Sequence, residues 1–230
     1  MTEDQWLKAS EPDLLLNWLH EVMGLTGMQT NERNLASPRQ CRLFACACCR
    51  LIWHWLSESE RGYIQVAEAY ADGKVKQSSL ARVCAKQVSA RLPAGVGHYA
   101  SVAVTWALKL PSATNPDLSS PEILARWAAE YSRRLPIENH AKRQVALLRD
   151  IIPNPYRPVK LEPAWLKWNG GVIRKLAESI YDERNYEQLP ILADALEDAR
   201  CTNEDLVKHC RSKGPHVRGC WAVDLLLGKR

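Results

Sequence analysis

A chain of 230 residues, 46% apolar and 25% charged, is long enough to bury a sizeable core without covalent staples and suits one ordinary domain or two small ones. Its 11 glycines and 13 prolines exclude fibrous and low-complexity classes, and no stretch approaches the roughly 18 uninterrupted apolar residues of a membrane span. Net charge is +5, which by itself selects no partner. The start, Met1-Thr2-Glu3-Asp4-Gln5-Trp6, is acidic and lacks an apolar core of the secretory type. A cytoplasmic location is therefore expected, with the 8 cysteines as reduced thiols.

Helix signals follow one another along the chain. Thr2 and Gln5 have capping-box spacing, and Ser10-Glu11-Pro12-Asp13 opens a second helix that should reach about Met23 and stop at Gly24. Residues 24–36 lack periodicity and read as a loop. Ser37-Pro38-Arg39-Gln40 restarts a helix extending to about Leu56. Ser57 and Glu60 cap the next, which ends at Asp72-Gly73. Two more are expected over 76–91 and 95–109, then a surface linker over about 111–120. Ser120-Pro121-Glu122 opens a helix to about Arg134, and Pro136 starts another to Ile151.

Four prolines between Ile152 and Pro163 make that segment an extended connector. Helices near 172–184, 188–199, 203–211 and 215–227 complete the chain. Alternating β-branched runs are nearly absent. The expected fold is all-α: a compact bundle of about ten helices in a single domain, 1–230, with N- and C-terminal segments packed together.

Charge is unevenly spread. Residues 1–125 are neutral, 126–175 carry +7, 176–205 carry −7 and 206–230 carry +5. Blocks of opposite sign can satisfy one another on folding. The alternative is a nucleic-acid face built from the two basic blocks, with Arg143, Arg157, Lys160, Lys167, Arg174 and Lys175 as its candidate contacts.

Two cysteine groups are candidates for chemistry. Over residues 41–56 of the helix that Ser37 opens, Cys41, Phe44, Cys48, Leu51, Ile52 and Trp55 share a stripe, so Cys41 and Cys48 read as small hydrophobes. Cys46 and Cys49 are three apart, so their sulfurs can converge, and Arg42 and Arg50 near Cys46 would favour a thiolate. Near the C-terminus, Cys201, His209, Cys210, His216 and Cys220 lie within twenty residues. Thiolates and imidazoles so spaced suit tetrahedral zinc, although the short Cys-x-x-Cys knuckles of zinc modules are missing. Cys46, Cys49, Cys210, His216 and Cys220 are the metal candidates, and a zinc-stabilised domain or metalloenzyme is one expected reading. His216 and Cys220, four apart in a helix over 215–227, would share a face with Val223 and Leu227. Trp165 and Trp168 should anchor the proline-rich connector. Asp224 reads as a buried acid paired with an Arg such as Arg218 or Arg50.

Several segments are similar to a multicopy bacterial protein family. Leu43-Phe44-Ala45-Cys46-Ala47-Cys48-Cys49-Arg50 with Trp53-His54 carries the looser part of the likeness, over the first 73 residues. Pro163-Ala164-Trp165-Leu166, Trp168-Asn169, Tyr181-Asp182-Glu183-Arg184, the stretch Leu189 to Ala199, His209-Cys210-Arg211 and Gly214 to Lys229 carry the closer part, over 147–230. The resemblance implies one unit made from both ends of the chain and transfers no catalytic residue or cofactor. With no phosphate loop, nucleophile elbow or His-Glu-x-x-His pair in the sequence, the leading expectation is a helical interaction or regulatory module that binds another protein. Nucleic acid and zinc are the alternatives, and no membrane partner is expected.

Overall fold

The structure is a computed structural model that describes residues 1–25, 36–89, 95–110 and 120–229. It is all-helical, and no strand occurs among the described residues. The chain divides into two compact units, Met1–Leu148 and Arg149–Arg230. The expected linker over 111–120 lies outside the described residues except for Ser120, as does most of the expected loop over 24–36.

The first unit holds α1 (Glu3–Lys8), α2 (Pro12–Leu25), α3 (Pro38–Leu51), α4 (Glu58–Ala71), α5 (Gln77–Ser89), α6 (Val96–Leu108), α7 (Pro121–Arg133) and most of α8 (His140–Ile151). Three starts are fixed by reciprocal capping boxes, Thr2 with Gln5, Ser37 with Gln40 and Ser57 with Glu60, each satisfying two otherwise orphaned backbone donors. Two expected boundaries move. α3 stops at Leu51 and tightens into a 3₁₀ turn over Trp53–Trp55, because Ile52 leaves helical geometry and its N–H returns to the Cys49 carbonyl. The helix expected from Pro136 starts only at His140, since Asn139 sits in the left-handed region at φ 54 and interrupts any continuous turn.

α3 is the centre of this unit and packs against α4, α6 and α7. Phe44, Cys48, Cys49 and Ile52 are fully shielded, and Cys41, Leu43, Ala45, Cys46 and Ala47 are buried beside them. A helix covered on most sides admits charge only where a partner waits. Arg42 therefore reaches the last carbonyls of α6, donating to Ala107 O at 2.7 Å and Lys109 O at 2.9 Å. Arg50 forks onto Glu68 of α4, with Nη2 2.8 Å from Oε2. Glu60 accepts from Ser57, from Gln87 of α5 at 3.2 Å and from Ser101 of α6, so one buried carboxylate knits three helices.

The second unit holds the end of α8, then α9 (Pro163–Lys167), α10 (Val172–Glu183), α11 (Leu189–Asp198), α12 (Glu204–Arg211) and α13 (Trp221–Leu227). Residues 152–162 are non-helical, as Pro153, Pro155 and Pro158 require, and Val159 and Leu161 lay that connector on the core. Trp165 is buried in the core and Trp168 packs against the same cluster. α10 contacts α11 and α13, and α11 pairs with α12. The largest departure from the sequence reading is the last helix. It begins at Trp221 rather than 215, because Gly214 and Gly219 adopt φ of 82° and 94°. His216 and Cys220 are therefore on a loop and at a helix entrance, not on one helical face.

Burial of the His140 imidazole pulls its pKa from 6.5 down to about 4, against the Leu135 backbone and with help from Arg133 and Arg143. Above pH 6.5 the folded and unfolded chains both hold it neutral, and the stabilisation is complete. As pH falls from 6.5 towards 4, the unfolded chain takes up a proton that the folded unit refuses, and stability is lost at a slope approaching about 1.4 kcal/mol per pH unit. Urea unfolding of His140→Gln should show a flatter pH dependence across that window than the parent protein.

Candidate metal centre

Asp150 lies in the last turn of α8, an acid inside an apolar helix face with Leu147, Leu148 and Ile151 as neighbours in sequence. It is 2% exposed. A carboxylate so deeply placed needs partners for every lone pair. Val217 N–H donates to Oδ2 at 2.9 Å. On Oδ1, His216 Nδ1 approaches to 2.7 Å and His209 Nε2 to 3.2 Å. Burial opposes the charge on Asp150, yet the hydrogen bonds from His209 and His216 overcome it and hold the carboxyl below its ordinary range. His216 responds in kind. Burial works against its proton, but Asp150 prevails and raises its pKa.

The two imidazoles come from different local structures. His209 is in the last turn of α12, a helix started by Asn203, whose side chain accepts the Leu206 N–H. His216 follows a turn that only glycine permits at position 214. A Cβ there would meet His216 N at 2.9 Å and His216 Cδ2 at 3.2 Å, besides requiring φ of 82°. The two rings meet edge to face, with centroids 5.0 Å apart.

Cys220 closes the group. Its sulfur is 3.2 Å from His209 Nε2, and the residue is fully buried at the N-cap of α13. Burial pushes its thiol pKa far up and the Asp150 charge adds to this, while the backbone of Val223 and Ala222 acts in the opposite sense. Asp150, His209, His216 and Cys220 thus each present a ligand-type atom within 4.8 Å of one another.

Outer contacts orient these groups. The Trp221 indole N–H donates to His209 Nδ1 at 3.0 Å. Ser212 Oγ–H donates to the His209 carbonyl at 2.8 Å, so both Ser212 oxygens are acceptors for His216 Nε2, at 3.1 Å for the carbonyl and 3.2 Å for the hydroxyl. The Tyr186 hydroxyl is buried without a hydrogen-bond partner, close enough that the charges of Cys220 and Asp150 act on it.

Of the metal candidates read from sequence, His216 and Cys220 are in this group. Cys210, one residue from His209, is outside it. It is fully buried in the helical core, where burial raises its pKa to about 12. Cys46 and Cys49 belong to α3 of the first unit, and Cys49 is a deeply buried thiol whose pKa burial likewise raises. All eight cysteines are free thiols. Asp150 was missed because nothing local marks it: its partners lie 59 to 70 positions away. The one available signal was an acid within the apolar run Val145 to Ile152.

Two of the six nucleic-acid candidates are paired with carboxylates of the acidic block. Arg157 is 3.8 Å from Asp205, and Arg174 is 3.1 Å from Glu178. From the second basic block, Arg211 binds Asp194 at 2.7 Å and Glu197 at 2.6 Å, and Lys208 binds Glu204 at 2.7 Å. Lys160, Lys167, Lys175 and, in the first unit, Arg143 are exposed. Asp224 is buried as expected. No helix of the described residues is long and apolar enough to cross a membrane.

No family model, curated protein or solved structure matches the chain, so the centre is read from its own geometry.

In metal-free protein, Asp150→Asn leaves His216 buried against a neutral amide. Hydrogen exchange and urea unfolding should register a loss of about 3–5 kcal/mol in residues 149–230. Asp194→Asn, on an exposed pair, should change stability by less than about 1 kcal/mol.

Proposed function

We propose that residues 149–230 form a metal-stabilised helical module, in which Asp150, His209, His216 and Cys220 bind one divalent cation of the zinc class. The observation that carries this reading is the convergence of a carboxylate, two imidazoles and a thiol within 4.8 Å. Bonds of about 2.0–2.3 Å from zinc to O, N and S ligands imply tetrahedral edges of roughly 3.2–3.7 Å. The 3.2 Å separations of His209 Nε2 from both Asp150 and Cys220 lie at the short end of those edges, the 2.7 Å between His216 and Asp150 would open by about half an ångström, and the widest pair, within 4.8 Å, would close by about one. The mixed donor set favours zinc over magnesium or calcium, which take oxygen ligands.

The supporting contacts suit the same role. Asp150 turns one oxygen to the group and gives the other to the Val217 amide, and His216 presents Nδ1 while Nε2–H reaches a backbone carbonyl. Cys220 and Asp150 are almost wholly shielded from solvent. Four protein ligands in a closed setting describe a structural cation rather than a catalytic one. Such a cation would tie the first turn of the unit to its last helix, across the seventy positions between Asp150 and Cys220.

The test is elemental analysis of the full chain purified without chelators, followed by melting with and without EDTA. One equivalent of zinc is expected, with a stability gain of about 4 kcal/mol when free zinc is a thousandfold above Kd. Cys220→Ser should lose the metal, whereas Cys210→Ser, although placed in the core, should keep it. A parent protein that retains no metal, binds none on titration and melts identically with EDTA overturns the reading.

A further inference from the structure

We propose that Trp221 opposes loading of this centre, because its indole holds His209 in the tautomer that cannot coordinate. The inference rests on the reading of the centre above. It starts from a donor that has no second role: an indole N–H donates and never accepts. Since Trp221 Nε1 points its hydrogen at His209 Nδ1 from 3.0 Å, that nitrogen carries the lone pair. A neutral imidazole then has its proton on Nε2. The proton has acceptors ready, Asp150 Oδ1 and Cys220 Sγ, each 3.2 Å away. A proton on Nε2 and a cation therefore compete for the same position.

The two histidines differ in this respect. His216 faces the centre through Nδ1, and its outer nitrogen already donates to the Ser212 carbonyl, the pattern that a metal-bound imidazole adopts. His209 faces the centre through Nε2, and its outer nitrogen accepts. For His209 to coordinate, the Nε2 lone pair must form the bond to the cation. The Nε2 proton is released and Nδ1 takes one up, so the ring stays neutral and its proton count is unchanged. Two N–H groups then face each other across 3.0 Å, and the Trp221 bond to His209 breaks. The indole cannot shed this conflict into solvent, because Trp221 is 8% exposed with its ring centroid 4.8 Å from that of His209. Loading thus leaves a buried donor seeking a new acceptor, and the apparent affinity is lower than the four ligands alone would give. Trp221 is a positioning residue that acts through His209.

The experiment uses the ¹⁵N-labelled full chain. Long-range ¹H–¹⁵N spectra read the His209 tautomer, and the indole proton of Trp221 reads the hydrogen bond, each after EDTA treatment and again with one equivalent of zinc. Competition with a chromophoric chelator gives zinc affinity for the parent and for Trp221→Phe. Without zinc, the Nε2–H tautomer and a downfield indole proton are expected; with zinc, the Nδ1–H tautomer and an upfield shift. Trp221→Phe should bind zinc roughly tenfold tighter. Zinc binding with the Trp221–His209 bond intact overturns the inference and reduces the centre to Asp150, His216 and Cys220, while metal binding by the unit stands. Equal or weaker affinity in a folded Trp221→Phe also overturns it. If that variant does not fold, the spectra of the parent decide. No zinc binding in either protein overturns both the inference and the centre.

Discussion

The second unit is organised by one constraint: a carboxylate at 2% exposure must be surrounded. Asp150 draws the Val217 amide, His216 and His209 to itself, and each demand propagates. His216 can reach it only through the glycine turn at 214, and Ser212 then fixes the far side of that ring. His209 brings the end of α12 to the same point, and Cys220 starts α13 there. Three separate stretches, the end of α8, the end of α12 and the entrance to α13, are held in register by one side chain that is itself non-negotiable once buried.

The first unit meets its buried charges differently. Glu60 is neutralised by neutral donors, Ser57, Gln87 and Ser101, and Arg42 by helix-end carbonyls. Such contacts are short-range and complete, and they join helices without drawing ligand-type atoms together. The cysteines follow the same division. Cys48 and Cys49 are packed into α3 as small apolar volumes, their pKa values raised chiefly by burial. Cys220 is as deeply buried, yet it has an imidazole nitrogen 3.2 Å from its sulfur. Sequence spacing treats these thiols alike; their neighbours separate them.

Helix starts were legible because a capping box is a local reciprocal contact, written in residues three apart, as at Ser37 and Gln40 or Ser57 and Glu60. The proline-rich connector was legible for a similar reason, since each ring excludes the helix by itself. Three of the four residues of the group, His209, His216 and Cys220, lie in the stretch near the C-terminus whose density of Cys and His is visible in the sequence. What hid the rest was geometry with no local signature. The run 215–227 looks helical by composition, and only the positive φ at Gly214 and Gly219 moves His216 out of the helix and beside His209. Asp150 is recruited from a helix that precedes the whole connector. Nothing in its flanking residues distinguishes a ligand from a chance acid.

A buried ion pair is a poor way to gain stability. Removing Asp150 and His216 from water opposes folding, and well-packed apolar side chains of the same volume would commonly do as well or better. The unit is also small, 82 residues from Arg149 to Arg230, a size at which a single core supplies only a modest margin. Under those conditions a carboxylate, two imidazoles and a thiol on one point would weaken a domain that had no use for them. A cation changes the balance. It would replace the proton between Asp150 and His216, displace the proton of the Cys220 thiol and turn four polar liabilities into bonds. On the reading proposed above, the proton on His209, held there by Trp221, would set the point at which that exchange becomes favourable.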